Sequence, residues 1–456
     1  MNRHIFQFAG LFGCLLFVGV SACDYIEEDI NIDPNKAVDV SVAQLLPPAQ
    51  TAFGYVLGGD FGRPTSIWIQ HLGGAERQHT AYDQYQLKEG DVNTVWDNMY
   101  TEFLKELDVI IEKSDAVGAP HYKGVAQVMT VMGFQYLVDL FDRVPYSEAL
   151  QGAENLTPAY DDGAAIYNDL QATLDDAINN LQAAESVFTP GAEDLIYGGD
   201  LSKWLAAAYA MKARLSVHLS EVDSGKAYND ALTAVDNAFT GNGQNAYISF
   251  SDGSPYAAFE TDRGDVVIGA KIVDLMNAQD DPRRSAFFTV NDEGIFRGMT
   301  PAMPENGPEV SRFGPQFGSQ TSPIPVITYY EVKFIEAEAA LQTGDAERAA
   351  EAYNAAVIAS IMEVTGSAPD STFVADYASA TEDDIDLEQI MTQKYIALFA
   401  QVEAFADYRR KMIPDLTPAV GDEVATRFPY PSDERLYNSD NFPGIVTVFG
   451  KVFWDQ

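Results

Sequence analysis

The chain is 456 residues long and sets 28 Lys and Arg against 68 Asp and Glu, a formal net charge of −40. That balance argues against a nucleic-acid partner, because phosphate binding needs clustered cations, and against adhesion to an anionic lipid surface through basic residues. With 46% hydrophobic and 12% aromatic residues, the chain has material for a real core, which argues against global disorder.

The N-terminus carries Arg3 and His4 and then an apolar run from Ile5 to Val20. The run is shorter than the roughly 20 residues that span a bilayer as a helix, so it reads as a signal peptide over 1–22. Val20-Ser21-Ala22-Cys23 resembles the lipobox of a bacterial lipoprotein, with Cys23 as the lipidation site; an ordinary secretory signal with a chance Cys is the alternative. Cys14 and Cys23 are the two cysteines, so no disulfide framework or thiolate zinc site is open to the rest of the chain. Asp24, Glu27, Glu28 and Asp29 follow in a tether over 23–40. These acids resemble the export signals of surface lipoproteins, and a solvated tether would look the same.

From residue 41 the period is helical. Trp96, Met99, Phe103, Leu107 and Ile110 fall on one face, and the stripe Ile166, Leu170, Leu174, Ala177 and Leu181 follows a start signal at Asp161-Asp162. Leu201, Trp204, Ala208, Met211 and Leu215 form a third stripe. Gln127 to Leu140 is apolar enough for a buried helix that Pro145 stops. Over 241–325 Gly, Pro, Asn, Asp and Ser crowd together, predicting long irregular structure with a few short strands. Its many aromatic residues set it apart from a disordered linker.

Helical spacing returns with Ile327, Tyr330, Phe334, Ala337 and Leu341, then a stop and cap at Thr343-Gly344-Asp345, then Ala346, Ala350, Tyr353 and Val357. This pair reads as a tetratricopeptide-type hairpin. One further helix is predicted from Asp386 to Met412, and the tail 413–456 suggests a strand from Ile445 to Trp454.

Several segments, in order, resemble the SusD/RagB family of outer-membrane nutrient-binding lipoproteins. They are Cys23 with Asn31 to Asn35, Trp96-Asp97-Asn98-Met99-Tyr100, the run from Phe141 to Leu150, Tyr160-Asp161 with Ile166-Tyr167, and Trp204 through Arg214. Asp281-Pro282-Arg283, Tyr330-Glu331-Val332 with Ala337-Glu338-Ala339, and Arg427 to Pro431 with Glu434 and Asn438 complete the series. Asp142-Arg143 stands where the family more often has Gly-Asp. The resemblance implies a mainly α fold of tetratricopeptide-like hairpins on one side of a single body spanning 41–456. The scaffold would cover 41–240 and 326–412, with a loop-rich ligand half and a few short strands. It further implies a lipid-anchored protein on the outside of the outer membrane, without catalytic activity or cofactor. Such a protein captures oligosaccharide and passes it to a partner TonB-dependent, SusC-like transporter barrel. Peptide capture and a tetratricopeptide-like protein scaffold are the alternatives.

Sugar recognition needs an aromatic platform for the apolar ring face and a few orienting polar groups. Asp60 to Gln86 offers both, with Arg63, Trp68, Gln70, His71, Arg77, Tyr82 and Tyr85; core packing within Ile67-Trp68-Ile69 is the alternative for Trp68. The irregular half adds Tyr256, Phe259, Asp262, Arg263 and Arg312. Trp96 and Trp204 read as core, Trp454 as strand core, and Arg283 and Arg284 as structural ion pairs. No catalytic signature occurs, and the histidines lack metal-ligand spacing. Glu382-Asp383-Asp384 with Asp386 could attract calcium, but an acid-rich helix start is the plainer reading, so no metal is expected. The acidic shell favours neutral or cationic nutrients, although a local patch such as Arg63 with Arg77 can override it.

Overall fold

The computed structural model describes residues 40–455; the expected signal peptide, Cys23 and the tether up to residue 39 lie outside the described residues. Val42–Leu57 (α1), Gly62–Trp68 (α2) and Arg77–Asp83 (α3) open the chain. Asn93–Asp97 (α4) then runs through a π-helical turn, Asn98–Leu104, into Lys105–Val117 (α5). The Trp96–Ile110 stripe is therefore a helical rod with one widened turn.

Pro120–Phe141 (α6) starts with Pro at its first turn, where no backbone donor is wasted. It is long and apolar enough to cross a membrane, yet nearly all of it is buried by its neighbours, which makes it the central core helix. A Cβ at Gly133 would stand 2.5 Å from Phe103, so glycine lets α6 meet the π turn. On the other side of that turn Phe103 stacks on Phe53 of α1 with centroids 4.4 Å apart.

Gly163–Leu181 (α7), Leu201–His218 (α8) and Ser224–Val235 (α9) follow, each capped by an aspartate side chain accepting from first-turn N–H groups. Pro255–Asp262 (α10), Ala270–Ala278 (α11) and the short Arg284–Phe287 (α12) and Pro315–Gly318 (α13) cross the loop-rich half. Tyr329–Thr343 (α14) and Ala346–Thr365 (α15) form the expected hairpin, turned by Gly344 at φ 87°. Ser371–Tyr377 (α16), Leu387–Ala397 (α17), Glu403–Lys411 (α18) and Ser432–Tyr437 (α19) complete the helices. Successive helices lie against one another from α5 to α9; α14 then joins α9, and α15 joins α14. This is the serial antiparallel packing of tetratricopeptide-like pairs.

The strands form three two-stranded antiparallel pairs: β1 (Leu72–Gly74) with β5 (Val266–Ile268), β2 (Val144–Pro145) with β3 (Tyr160–Asp161), and β4 (Ala246–Ile248) with β6 (Ile324–Ile327). Pairing Gly73 with Val267 ties the Asp60–Gln86 segment to the loop-rich half.

Two local expectations are corrected. The helix predicted from Asp386 to Met412 is broken between α17 and α18. Ala400, at φ 59°, gives its carbonyl to Tyr256 Oη at 2.8 Å and its N–H to His71 Nδ1 at 3.2 Å, so tertiary hydrogen bonds replace helical ones. The predicted strand Ile445 to Trp454 is irregular; the carbonyl of Val448 accepts from Thr426 and Arg427, outside any ladder. Trp454 is buried all the same, its Nε1 donating to Asp139 at 2.8 Å.

Where α6, α8, α14, α17 and α18 meet, the scaffold buries ions. Arg214 clamps Glu331 with two 2.7 Å hydrogen bonds, and Arg410 clamps Glu338 at 2.7 and 2.8 Å while reaching Asp407 at 2.6 Å. His218 Nε2 lies 2.6 Å from Glu403, and its Nδ1 lies 2.9 Å from Tyr167 Oη. Burial opposes charge on His218, but Glu403 and Asp139 outweigh it and raise its pKa to about 9. Glu338, despite burial, is held down at about 2 by Arg410.

Candidate functional site

Away from this ionic seam, the ends of three segments leave an open cavity of about 560 Å³. The end of α1 and the following turn supply Tyr55, Val56, Gly59 and Asp60, and α2 supplies Arg63. Val95 and Asn98 come from the α4–π rod, and Phe259, Asp262 and Arg263 from the end of α10. The approach depends on Gly58, where a Cβ would lie 2.9 Å from Pro255 and 2.8 Å from Ile324. The volume lies within the ~300–1,000 Å³ typical of small-molecule sites.

Tyr55 is the most open aromatic of the lining, 47% exposed, braced by an edge-on contact with Phe250 at 5.3 Å and by Oη donating to the Gly253 carbonyl at 3.2 Å. Phe259 is half-buried, with the Arg63 guanidinium 4.3 Å from its ring centre. Arg63 also pairs with Asp60 at 2.5 Å. Behind Phe259, buried Asp265 is shared by Arg263 at 2.8 Å and by Arg77. His79 sits edge-on to both Phe259 and Tyr82 at 5.1 and 5.3 Å. Burial first, and the Arg63 charge second, push the His79 pKa down to about 4, so the ring is neutral near pH 7. Burial and nearby Asp91 and Asp60 raise Tyr82, which stays a neutral phenol. The cavity thus combines an exposed phenol and a phenyl edge with carboxylate, amide and guanidinium groups at its rim. That set can stack on a ring and hydrogen-bond its hydroxyls.

The predicted site residues separate into four groups. Arg63, Phe259, Asp262 and Arg263 line the cavity, and Arg77 and Tyr82 form the layer behind it. Arg312 braces rather than lines it, holding Glu260 at 2.7 Å, Asn306 at 2.7 Å and the Gly264 carbonyl at 3.0 Å. The remaining five, Trp68, Gln70, His71, Tyr85 and Tyr256, are core, which corrects the expectation for them. Trp68 is fully buried between Phe405 and Phe428, with Nε1 donating to the Tyr82 carbonyl. Gln70 is spent on the Thr417 carbonyl at 2.6 Å, Tyr85 Oη accepts from Ala419 N–H, and Tyr256 is enclosed by Phe313 and Phe317. Tyr55 and Asn98 were not anticipated. Their signal was present: Tyr55 is an aromatic off the buried face of α1, and Asn98 is a polar residue inside an apolar stripe. Among the described residues, no cluster of His, Cys, Asp or Glu is placed to hold a metal ion.

Fold and cavity together define a helical-repeat protein with an open pocket built mainly from helix ends. The model of the SusD-like family, described as starch-binding and associating with the outer membrane, matches residues 34–431, and the chain belongs to that family. A solved chitin-binding protein is 28% identical, with a TM-score of 0.78 over 91% of this chain and 100% of its own. A chitin-binding SusD homolog from Flavobacterium johnsoniae has a TM-score of 0.80 at 21% identity, over 91% of this chain and 98% of its own. A SusD/RagB family protein from Bacteroides thetaiotaomicron has 0.76 at 24%, over 91% and 99%. These last two share the fold. No curated protein matches the chain.

Proposed function

We propose that this protein is an oligosaccharide-capturing lipoprotein, anchored through Cys23 to the outer membrane and facing the cell exterior. It hands its ligand to a TonB-dependent, SusC-like transporter barrel and performs no catalysis. The observation that carries the reading is the open cavity in which Tyr55 and Phe259 stand among Asp60, Asn98, Asp262 and Arg263. Family membership supports the glycan class, and the 28%-identical chitin-binding protein supports a β-linked amino-sugar polymer as a first ligand to try.

Calorimetric titration with malto- and chito-oligosaccharides tests the capture. Binding of one class, weakened about tenfold by Tyr55→Ala, is expected; failure to bind any glycan fraction would overturn the reading. Whole-cell protease accessibility tests the surface placement, where complete protection would exclude it. Co-purification of a TonB-dependent barrel from outer-membrane extracts tests the partner.

A further inference from the structure

The π turn has a second side. Trp96, Asp97, Tyr100, Thr101 and Lys105 face away from the first cavity and, with the loop 149–158 and Glu434, enclose another of about 360 Å³. Adjacent residues Asp97 and Asn98 thus line different cavities. The second one is floored by apolar surface. Trp96, only 4% exposed and packed among Phe141, Tyr100 and Tyr160, backs this floor, and half-buried Tyr100, fixed by Oη donating to the Pro145 carbonyl at 2.7 Å, is its aromatic surface. Pro145, Leu150, Pro158 and Leu156 complete the walls, and Leu156 is 78% exposed at the mouth. A large aliphatic side chain left in water beside an aromatic floor marks a surface that a ligand can cover.

The polar groups there are not balanced. Lys105 is neutralised by Asp108 at 2.7 Å and also donates to the Leu150 carbonyl. Glu434 accepts from Tyr160 Oη at 2.8 Å and Asn438 at 3.1 Å, both neutral donors that leave its charge in place. The Asp97 carboxylate has neither a hydrogen bond nor an ion pair among the described residues. Partial burial raises its pKa, and Asp433 and Glu434 raise it further, as expected where like charges face one another without a cation.

We propose that this second cavity is a saccharide subsite for a ring bearing a free amine, its apolar face on Tyr100, Leu150 and Leu156 and its ammonium beside Asp97 and Glu434. A neutral N-acetylated ring would fill the same space without offsetting the acids, so the subsite discriminates by charge. It rests on the reading of the protein as a glycan-capturing one, and extends it from one cavity to two.

Titration at pH 6 with fully deacetylated glucosamine oligomers, their N-acetylated counterparts and trilysine separates the outcomes. We expect the glucosamine oligomer to bind the full chain, with Asp97→Asn weakening it at least tenfold while binding of the acetylated oligomer at the first cavity holds. Leu156→Arg, which places a cation at the mouth from an exposed position, should weaken glucosamine binding as well; melting midpoints check that both variants fold. Glucosamine binding unchanged in both variants, or trilysine binding with glucosamine excluded, would overturn the subsite. Loss of glucosamine binding alone in the wild type defeats this inference and leaves glycan capture intact. Absence of binding by both oligomers defeats the two together for these sugars.

Discussion

The ionic seam of the helical scaffold and the rim of the first cavity use the same residue types to opposite ends. In the seam, Arg214, Arg410, His218 and their acids are dry, and each charge is spent on a named partner. At the rim, Arg63 pairs with Asp60, which stands half in water, while Arg263 and Arg77 reach from partly exposed positions to buried Asp265. Burial decides the difference. An ion in the seam cannot lose its partner without a penalty of several kcal/mol, whereas the open Arg63–Asp60 pair is worth about 0–1 kcal/mol and exchanges readily for water or a hydroxyl.

The sharpest way to break this comparison is Glu331→Ala. Leaving Arg214 buried without its clamp should cost about 3–5 kcal/mol in denaturant unfolding; a loss below 1 kcal/mol would mean that the seam is wetter than its geometry. Trp68→Ala should come close, at about 3–5 kcal/mol, because it empties a core position rather than a ligand platform. Acid comes next. Glu338 and Glu403 titrate near 2 in the folded chain against ordinary values of 4.5. Their folded pKa values are depressed, so the stability they add is present above 4.5 and is lost as pH falls towards 2. His218 is the reverse case: its contribution is full below 6.5 and fades as pH rises through about 9. Melting midpoints should therefore fall steeply below pH 4.5 and more gently above pH 7, and the alkaline slope should vanish in His218→Gln. The smallest stability effect belongs to the rim. Tyr55→Ala should leave unfolding within about 0.5 kcal/mol while costing most of the oligosaccharide affinity, measured on the same sample.

The sequence was a good guide to the scaffold, because the periodicity of stripes such as Ile166 to Leu181 and the Asp caps are local properties that the packing then uses. It failed at Ala400, where Tyr256 and His71, both distant in sequence, take over the backbone groups. It failed in the site for the same reason. The region rich in aromatic residues was legible, but which of Trp68, Tyr82, Tyr85 and Tyr256 faces water depends on β1 pairing with β5 and on the tail covering Tyr85. Nothing in local spacing encodes that.

The seam also bears on how such a protein diversifies. Arg214 reaches Glu331 across 117 positions and Arg410 reaches Glu338 across 72, so the ions are satisfied only when the middle of the chain and its C-terminal part are assembled together. Tyr55, Asp262, Arg263 and the loop 149–158 stand outside that lock. The segments around the two cavities can accordingly be traded between relatives as cassettes, whereas a chimera cut so as to mismatch Arg214 and Glu331 would strand a naked ion and be discarded before selection could act on its surface.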